Sequence, residues 1–192
     1  MKLKTLDITM AGLFASLMAI GANLTAFLVV GGVTITLTTF FSILSGLLLG
    51  GRLGAISMTV YALIGLAGAP IFSQFSGGPS SIIRPTFGFI LSNIIVAYVA
   101  GKMIEKKTLK KNFIIAALTG MAINYVFGTT WMYFAYKLWF GSPEGFSYAI
   151  AWLWMAAPFP KDIIFSCLAG ILAFRLHGKI YKSQNTERKT IA

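Results

Sequence analysis

The chain has 192 residues, of which 57% are hydrophobic and only 11% are charged, and its mean hydropathy is +0.80. A soluble domain carries roughly 25% charged residues, so this composition excludes an ordinary soluble domain and indicates a surface solvated by lipid. The net charge of +11 would suggest nucleic acid in a soluble protein, but here the basic residues flank apolar segments, which membrane topology explains better.

The apolar segments predict an all-α integral membrane protein with six transmembrane helices. No charged residue lies between Asp7 and Arg52, which leaves room for two such helices and a connection. In chain order, the predicted helices cover residues 6–30, 37–50, 55–69, 86–103, 113–136 and 161–180. A short helix at 146–156 precedes the last one. We expect residues 1–182 to form a single six-span domain and residues 183–192 to form a polar cytoplasmic tail.

The placement of Lys and Arg predicts the orientation. With six spans, both termini and the connections after the second and fourth helices lie on one side of the membrane. Only three of the 16 basic residues, Arg84, Lys137 and Lys161, fall on the other side. The positive-inside rule therefore predicts that both termini are cytoplasmic.

Two features of the connection between the third and fourth predicted helices are candidates for ligand binding on the external side. Arg84 stands at the start of the fourth predicted helix, where a bound anion would offset the unfavourable helix dipole. An arginine snorkelling to the membrane interface is the alternative. Gln74 lies in the connection at residues 70–85, whose aromatic residues and glycines suit a lid, although an ordinary connecting loop would look similar.

Lys161 and Asp162 begin the sixth predicted helix, after Pro158 and Pro160. An aspartate at a helix N-terminus can cap free amides, and that role alone could explain Asp162. It could also pair with Arg84 or Lys161. The two cations together would form a clamp for a ligand carboxylate.

Polar residues inside the predicted spans are the next candidates, because burying them in lipid is costly. The candidates are Asn23, Asn93 and Asn124, of which we select Asn93 and Asn124 together with the neighbouring Tyr125. Asparagine donates and accepts hydrogen bonds, which suits a urea or amide group, but such residues also join helices to one another. The sequence has no nucleophile–base pair, metal-ligand cluster or phosphate-binding loop, so we expect neither an enzyme nor a cofactor.

The first predicted helix has small residues at four-residue spacing, namely Ala11, Ala15 and Ala19. Such a face allows another helix to approach closely. It can serve as an interface with a partner protein, which is our preferred interpretation, or as a packing face within the same chain.

Taken in order and spacing, the motifs resemble the BioY family, the biotin-specific S components of energy-coupling factor (ECF) transporters, over nearly the whole chain. The matching stretches are Ala11-Gly-Leu-Phe-Ala15-Ser-Leu, Val33-Thr-Ile-Thr-Leu37, Leu49-Gly-Gly-Arg-Leu-Gly54, Tyr61-Ala-Leu-Ile-Gly65-Leu-Ala-Gly68-Ala-Pro70-Ile-Phe72, Gly77-Gly78, Pro85-Thr-Phe-Gly88-Phe and Pro158-Phe-Pro-Lys-Asp162. The chain departs from the family pattern at Thr34 and Thr38, where Pro and Gln are usual. It also departs at Phe165, where a lysine is common.

The resemblance implies an S-component-like helix bundle in the cell membrane, with a biotin site near the external face. It implies high-affinity biotin binding and uptake, with a transmembrane coupling protein and two ATPase subunits as partners that bind the ATP. Arg84, Lys161 and Asp162 would hold the valerate carboxylate, and the connections after the first and third helices would cover the ligand. An S component for another vitamin, or a standalone secondary transporter, is the alternative.

Overall fold

The described residues, 4–25, 28–30, 33–107 and 109–190, form seven α-helices and a two-stranded hairpin in a computed structural model. The helices are α1 (Thr5–Asn23), α2 (Thr38–Leu49), α3 (Gly51–Leu66), α4 (Phe87–Ile104), α5 (Lys110–Ala135), α6 (Tyr148–Met155) and α7 (Phe159–Thr190). The short α6 precedes α7, so the predicted order of six helices with an additional short helix before the last one is confirmed. Residues 1–3, 26–27, 31–32, 108 and 191–192 lie outside the description.

The first helix ends earlier than its apolar sequence predicts. It stops at Asn23, and the predicted continuation to residue 30 is wrong. Strands β1 (Val29–Val30) and β2 (Val33–Thr34) follow as an antiparallel pair, with Val29 opposite Thr34. Their β-branched side chains favour extended backbone over helix, which explains why hydropathy alone misplaced this boundary.

The helices differ in their ability to cross a membrane. By length and composition, α1, α4 and the continuous helical segment Lys110–Phe140 are long and apolar enough, and α6 and α7, bent by 57°, qualify together as one broken span. Helices α2 and α3 are apolar but have 12 and 16 residues. At about 1.5 Å per residue they are shorter than a hydrocarbon core of about 30 Å. The apolar helices are those of a multi-pass membrane protein.

Helix α4 lies at the centre of the bundle and packs against α2, α3 and α5. Glycine makes the closest of these approaches possible. A Cβ atom on Gly46 of α2 would overlap the backbone of Ala97 on α4, and one on Gly101 of α4 would overlap the backbone at Gly51. These contacts hold α4 tightly against α2 and against the start of α3.

The small-residue face of α1 is largely occupied within the chain. Ala11 and Ala15 are buried, and Ser57 Oγ on α3 donates to the carbonyl oxygen of Ala11 at 2.7 Å. Ala19 is half-buried, while the neighbouring Gly12 is exposed. Ala11 and Ala15 therefore pack inside the chain, which is the alternative that the sequence left open. These two residues are not free for a partner in the described structure.

The last helix begins and ends outside its predicted limits. It starts at Phe159, so Asp162 lies inside the first turn and its backbone N–H donates to the carbonyl of Pro158 at 3.0 Å. The predicted N-cap role of Asp162 is therefore wrong, although its charge still suits the helix dipole. The helix continues to Thr190, so most of the predicted tail is helical backbone.

Candidate ligand-binding site

A cavity of about 480 Å³ lies among the helices, at the end of the bundle where α4 and α7 begin. All seven helices contribute to its lining, as do the connections before α2 and before α4. The volume is within the range of about 300–1,000 Å³ that is typical of small-molecule sites. The cavity forms where α2 begins and α3 ends, next to the irregular backbone that precedes α2 and follows α3.

The structure brings six of the seven predicted ligand-binding residues to this cavity. They are Gln74, Arg84, Asn93, Asn124, Lys161 and Asp162. The seventh, Tyr125, is buried and does not line the cavity. Its hydroxyl instead donates to Asp162 Oδ2 at 2.7 Å, so it contacts the site through the carboxylate.

Lys161 and Asp162 form a compact ion pair at the edge of the cavity. Lys161 Nζ lies 2.7 Å from Asp162 Oδ1, and it also donates to the backbone carbonyl of Thr36 in the connection before α2. Asp162 is only 7% exposed, and Tyr125 satisfies its second oxygen. A buried carboxylate needs such partners. The pair is thus electrically neutral and fastens the start of α7 to the segment before α2.

Arg84 stands apart from this pair. It is exposed, and it makes no ion pair among the described residues. The backbone at Arg84 is extended because Pro85 follows, and α4 begins only at Phe87. Arg84 is therefore outside the first turn of α4, and the helix-dipole argument for it does not apply. Its guanidinium is a cation at the cavity without a carboxylate partner in the described chain.

Aromatic side chains form much of the cavity wall. Those that line it are Tyr61, Phe72, Phe87, Phe89, Tyr136 and Phe140. Tyr61 and Phe72 pack edge to face with ring centroids 5.5 Å apart, and the Tyr61 hydroxyl donates to the carbonyl of Ile71 at 3.1 Å. Such a wall suits a flat or apolar ligand body. A single sequence could not show which of its many aromatic residues would meet here.

The connection after α3 is held over the cavity by Asn23. Its Nδ2 donates to the carbonyl of Ile71 at 3.2 Å, and its Oδ1 accepts from the backbone N–H of Phe75 at 2.7 Å. Gln74 and Phe75 have φ values of 61° and 52°, in the left-handed region that few non-glycine residues adopt. The tether supports this strained turn, and Gln74 lies exposed at the cavity rim.

A buried hydrogen-bonded cluster contributes Thr39, Asn93 and Asn124 to the cavity lining. Asn124 Nδ2 donates to Ser92 Oγ at 2.7 Å and to Asn93 Oδ1 at 3.2 Å, and Thr39 Oγ1 donates to Asn124 Oδ1 at 3.3 Å. All four residues are buried. The cluster joins α2, α4 and α5, so both interpretations of the buried asparagines, helix joining and facing a ligand site, apply to the same residues.

Sequence reasoning missed the threonines that enter α2. Thr34, Thr36, Thr38 and Thr39 all line the cavity. Of these, Thr34 and Thr38 were named as departures from the family pattern, and Thr34 and Thr36 stand in a matching stretch, but none was selected from the sequence as a ligand-binding residue. A run of hydroxyl residues directly before a short apolar helix was the signal that could have identified them.

Comparisons with known proteins agree with this architecture. The BioY family model matches residues 1–182. BioYB of Bacillus subtilis is 42% identical over 196 residues, covering 100% of this chain and 97% of that protein. The biotin transporter BioY of Rhizobium etli is 27% identical, covering 88% and 92%.

Among solved structures, the S-component for biotin from an ECF-type ABC transporter superposes with a TM-score of 0.78 at 20% identity, covering 92% of this chain and 95% of that one. This likeness establishes the S-component fold. Because the family model spans nearly the whole chain and the relative from Bacillus subtilis matches along its full length, the chain belongs to the BioY family.

Proposed function

We propose that this chain is the substrate-binding component for biotin of an ECF-type transporter, and that it binds biotin with high affinity for uptake. The observation that carries the proposal is the cavity itself. It combines a cation at the rim, aromatic walls and an amide cluster at its inner end. Biotin has a carboxylate, an apolar chain and sulfur ring, and a cyclic urea in that same order. Several relatives are named as biotin transporters.

In this proposal the valerate carboxylate lies near Arg84. The guanidinium has no carboxylate partner among the described residues, whereas the charge of Lys161 is already balanced by Asp162. Arginine can bind a carboxylate through two parallel hydrogen bonds. The clamp that the sequence suggested is thereby reduced to Arg84, with Lys161 and Asp162 fixing the segment before α2.

We place the energy source on other proteins. The sequence contains no phosphate-binding loop. ATP would be bound by two ATPase subunits, coupled to this chain by a transmembrane partner, as the likeness to an ECF S-component supports. We place the protein in the cell membrane with both termini cytoplasmic, because most of its basic residues lie on that side.

The experiment is biotin binding to the purified full chain in detergent, with other vitamins as competitors. We expect biotin alone to bind tightly. Arg84→Gln should weaken biotin roughly 10- to 100-fold, since a charge-assisted hydrogen bond is lost. The same change should leave biotin methyl ester nearly unaffected. Lys137→Gln is the matched control, because Lys137 is an exposed cation outside the cavity lining.

Three results would change the proposal. Tight binding of a different vitamin would make the chain an S component of another specificity. If Arg84→Gln loses as much affinity for biotin methyl ester as for biotin, the carboxylate does not bind to Arg84. Biotin accumulation in liposomes that contain only this chain, without ATPase subunits, would indicate a standalone secondary transporter.

A further inference from the structure

The hydroxyl of Ser92 determines the direction of every hydrogen bond in the cluster at the inner end of the cavity. Ser92 Oγ donates its single proton to the carbonyl of Phe89 at 2.8 Å. It can then only accept from the side chain 2.7 Å away on α5. The group of Asn124 that faces Ser92 must therefore be its NH₂.

The orientation of Asn124 determines that of Asn93. The same Nδ2 lies 3.2 Å from the Asn93 amide, and a donor there requires that Asn93 present its oxygen. Thr39 Oγ1 donates to Asn124 Oδ1 from the opposite side at 3.3 Å, which is consistent with this assignment. The order of donors and acceptors is thus set by Ser92 and continues through Asn124 to Asn93.

This order leaves Asn93 Nδ2 without a hydrogen-bond partner in the described part of the chain. Asn93 lines the cavity although it is only 1% exposed, so a group in the cavity is the partner that its NH₂ can reach. An unused buried donor costs free energy. A ligand acceptor at this position would remove that cost.

Thr39 supplies the complementary group. Its only proton goes to Asn124, so its oxygen retains lone pairs that can accept, and Thr39 also lines the cavity. A donor on α4 and an acceptor on α2 therefore face the same cavity. A carbonyl flanked by N–H groups satisfies both, whereas a carboxylate or a hydrocarbon satisfies at most one.

We propose that this cluster recognises a cyclic urea: Asn93 Nδ2 donates to the urea carbonyl, Thr39 Oγ1 accepts from a urea N–H, and Asn124 positions both side chains. The inference rests on the proposed function, because it assigns the ureido end of biotin to the cluster and the carboxylate to the rim. It makes Asn93 the residue that selects a carbonyl at this point of the ligand.

The experiment compares biotin with 2-iminobiotin, in which a guanidine replaces the cyclic urea, on the purified full chain. Wild type should prefer biotin by at least about 100-fold at neutral pH, because the guanidine is then protonated and the resulting guanidinium has only donors where Asn93 also donates. Asn93→Leu should weaken biotin roughly 10- to 100-fold. Asn93→Asp presents an acceptor in place of a donor. Its preference for biotin over 2-iminobiotin should be at least about tenfold smaller than that of Asn93→Leu.

Ser45→Ala is the matched control for loss of a buried polar group. Ser45 is fully buried on α2, donates to the carbonyl of Ser42 at 2.8 Å, and does not line the cavity. The Ser45→Ala variant should keep the wild-type preference for biotin over 2-iminobiotin. The comparison of biotin with 2-iminobiotin on wild type does not depend on any variant, so it tests the inference even if the Asn93 variants are unstable.

Two outcomes are distinguishable. If wild type binds biotin tightly but does not discriminate against 2-iminobiotin, or if the Asn93 variants keep the wild-type affinity and preference, the assignment of the ureido end to Asn93 is overturned and the proposed function survives. If wild type binds no biotin, the proposed function fails and this inference fails with it.

Discussion

The Tyr125 hydroxyl on α5 donates to Asp162 Oδ2 on α7 at 2.7 Å. Because Lys161 Nζ lies 2.7 Å from the other carboxylate oxygen, Asp162 is held from two sides while being almost fully buried. Lys161 and Asp162 both line the cavity, whereas Tyr125 does not. The carboxylate therefore serves both the bundle and the site, and the two roles can be separated by substitution.

Tyr125→Phe should affect stability more than ligand binding. The change removes a donor to a buried carboxylate, and the loss of a hydrogen bond to a charged group costs about 1.5–3 kcal/mol. We expect a lower midpoint of thermal unfolding in detergent and a change in biotin Kd of less than about threefold. Tyr133→Phe is the control, since Tyr133 makes no side-chain hydrogen bond among the described residues. A large loss of affinity with unchanged stability would place Tyr125 in direct contact with ligand.

Asp162→Asn should destabilise the protein more than the double variant Lys161→Met plus Asp162→Asn. The single change leaves a mostly buried ammonium without a counter-charge, and breaking such a pair costs about 3 kcal/mol or more. The double change removes both charges. The measurement is the unfolding midpoint of the three proteins in one detergent. If the double variant is the least stable, the ion pair contributes net stability and the argument from desolvation is wrong.

Much of this site could be predicted because charge is rare in the sequence. Arg84, Lys161 and Asp162 are among the few charged residues beside apolar segments, and the structure brings all three to one cavity. The pairing of Asp162 with Lys161 was left open between two partners, since it depends on where α7 starts. Helix α7 starts at Phe159, before the lysine, and so holds Pro160 in its first turn, where proline is tolerated.

Other features depend on contacts between residues that are distant in sequence. The role of Tyr125 as a partner of Asp162 required the packing of α5 against α7. The free donor on Asn93 required knowing which way the hydroxyl of Ser92 donates. The end of α1 was misplaced because β-branched apolar residues satisfy a hydropathy criterion while favouring extended backbone.

Asn23→Leu should loosen the connection after α3 without unfolding the bundle. The Phe75 N–H would lose its acceptor, and the strained turn at Gln74 and Phe75 would lose its tether. We expect amide exchange in residues 72–78 to accelerate roughly 10- to 100-fold, with little change in α4. Asn112→Leu is the control, because that side chain makes no hydrogen bond in the described chain. Unchanged exchange would show that the connection is held by other contacts.

Gly46→Ala should be strongly destabilising although it adds a single methyl group. A Cβ at this position would overlap the backbone of Ala97, which cannot move without displacing α4. Overpacking of this kind costs about 1–3 kcal/mol. Gly12→Ala on α1 is the matched control, because nothing lies within 4 Å of its Cβ position and alanine favours the helix over glycine by about 1 kcal/mol.

The two changes should move the unfolding midpoint in opposite directions, with Gly46→Ala lowering it and Gly12→Ala raising it. Biotin binding by the folded fraction of Gly46→Ala should also weaken, since α2 carries Thr39 and α4 carries Asn93 to the cavity. If Gly46→Ala is as stable as wild type, then α2 and α4 can separate enough to admit a methyl group. The close approach of these helices would then not be what holds the amide cluster in place.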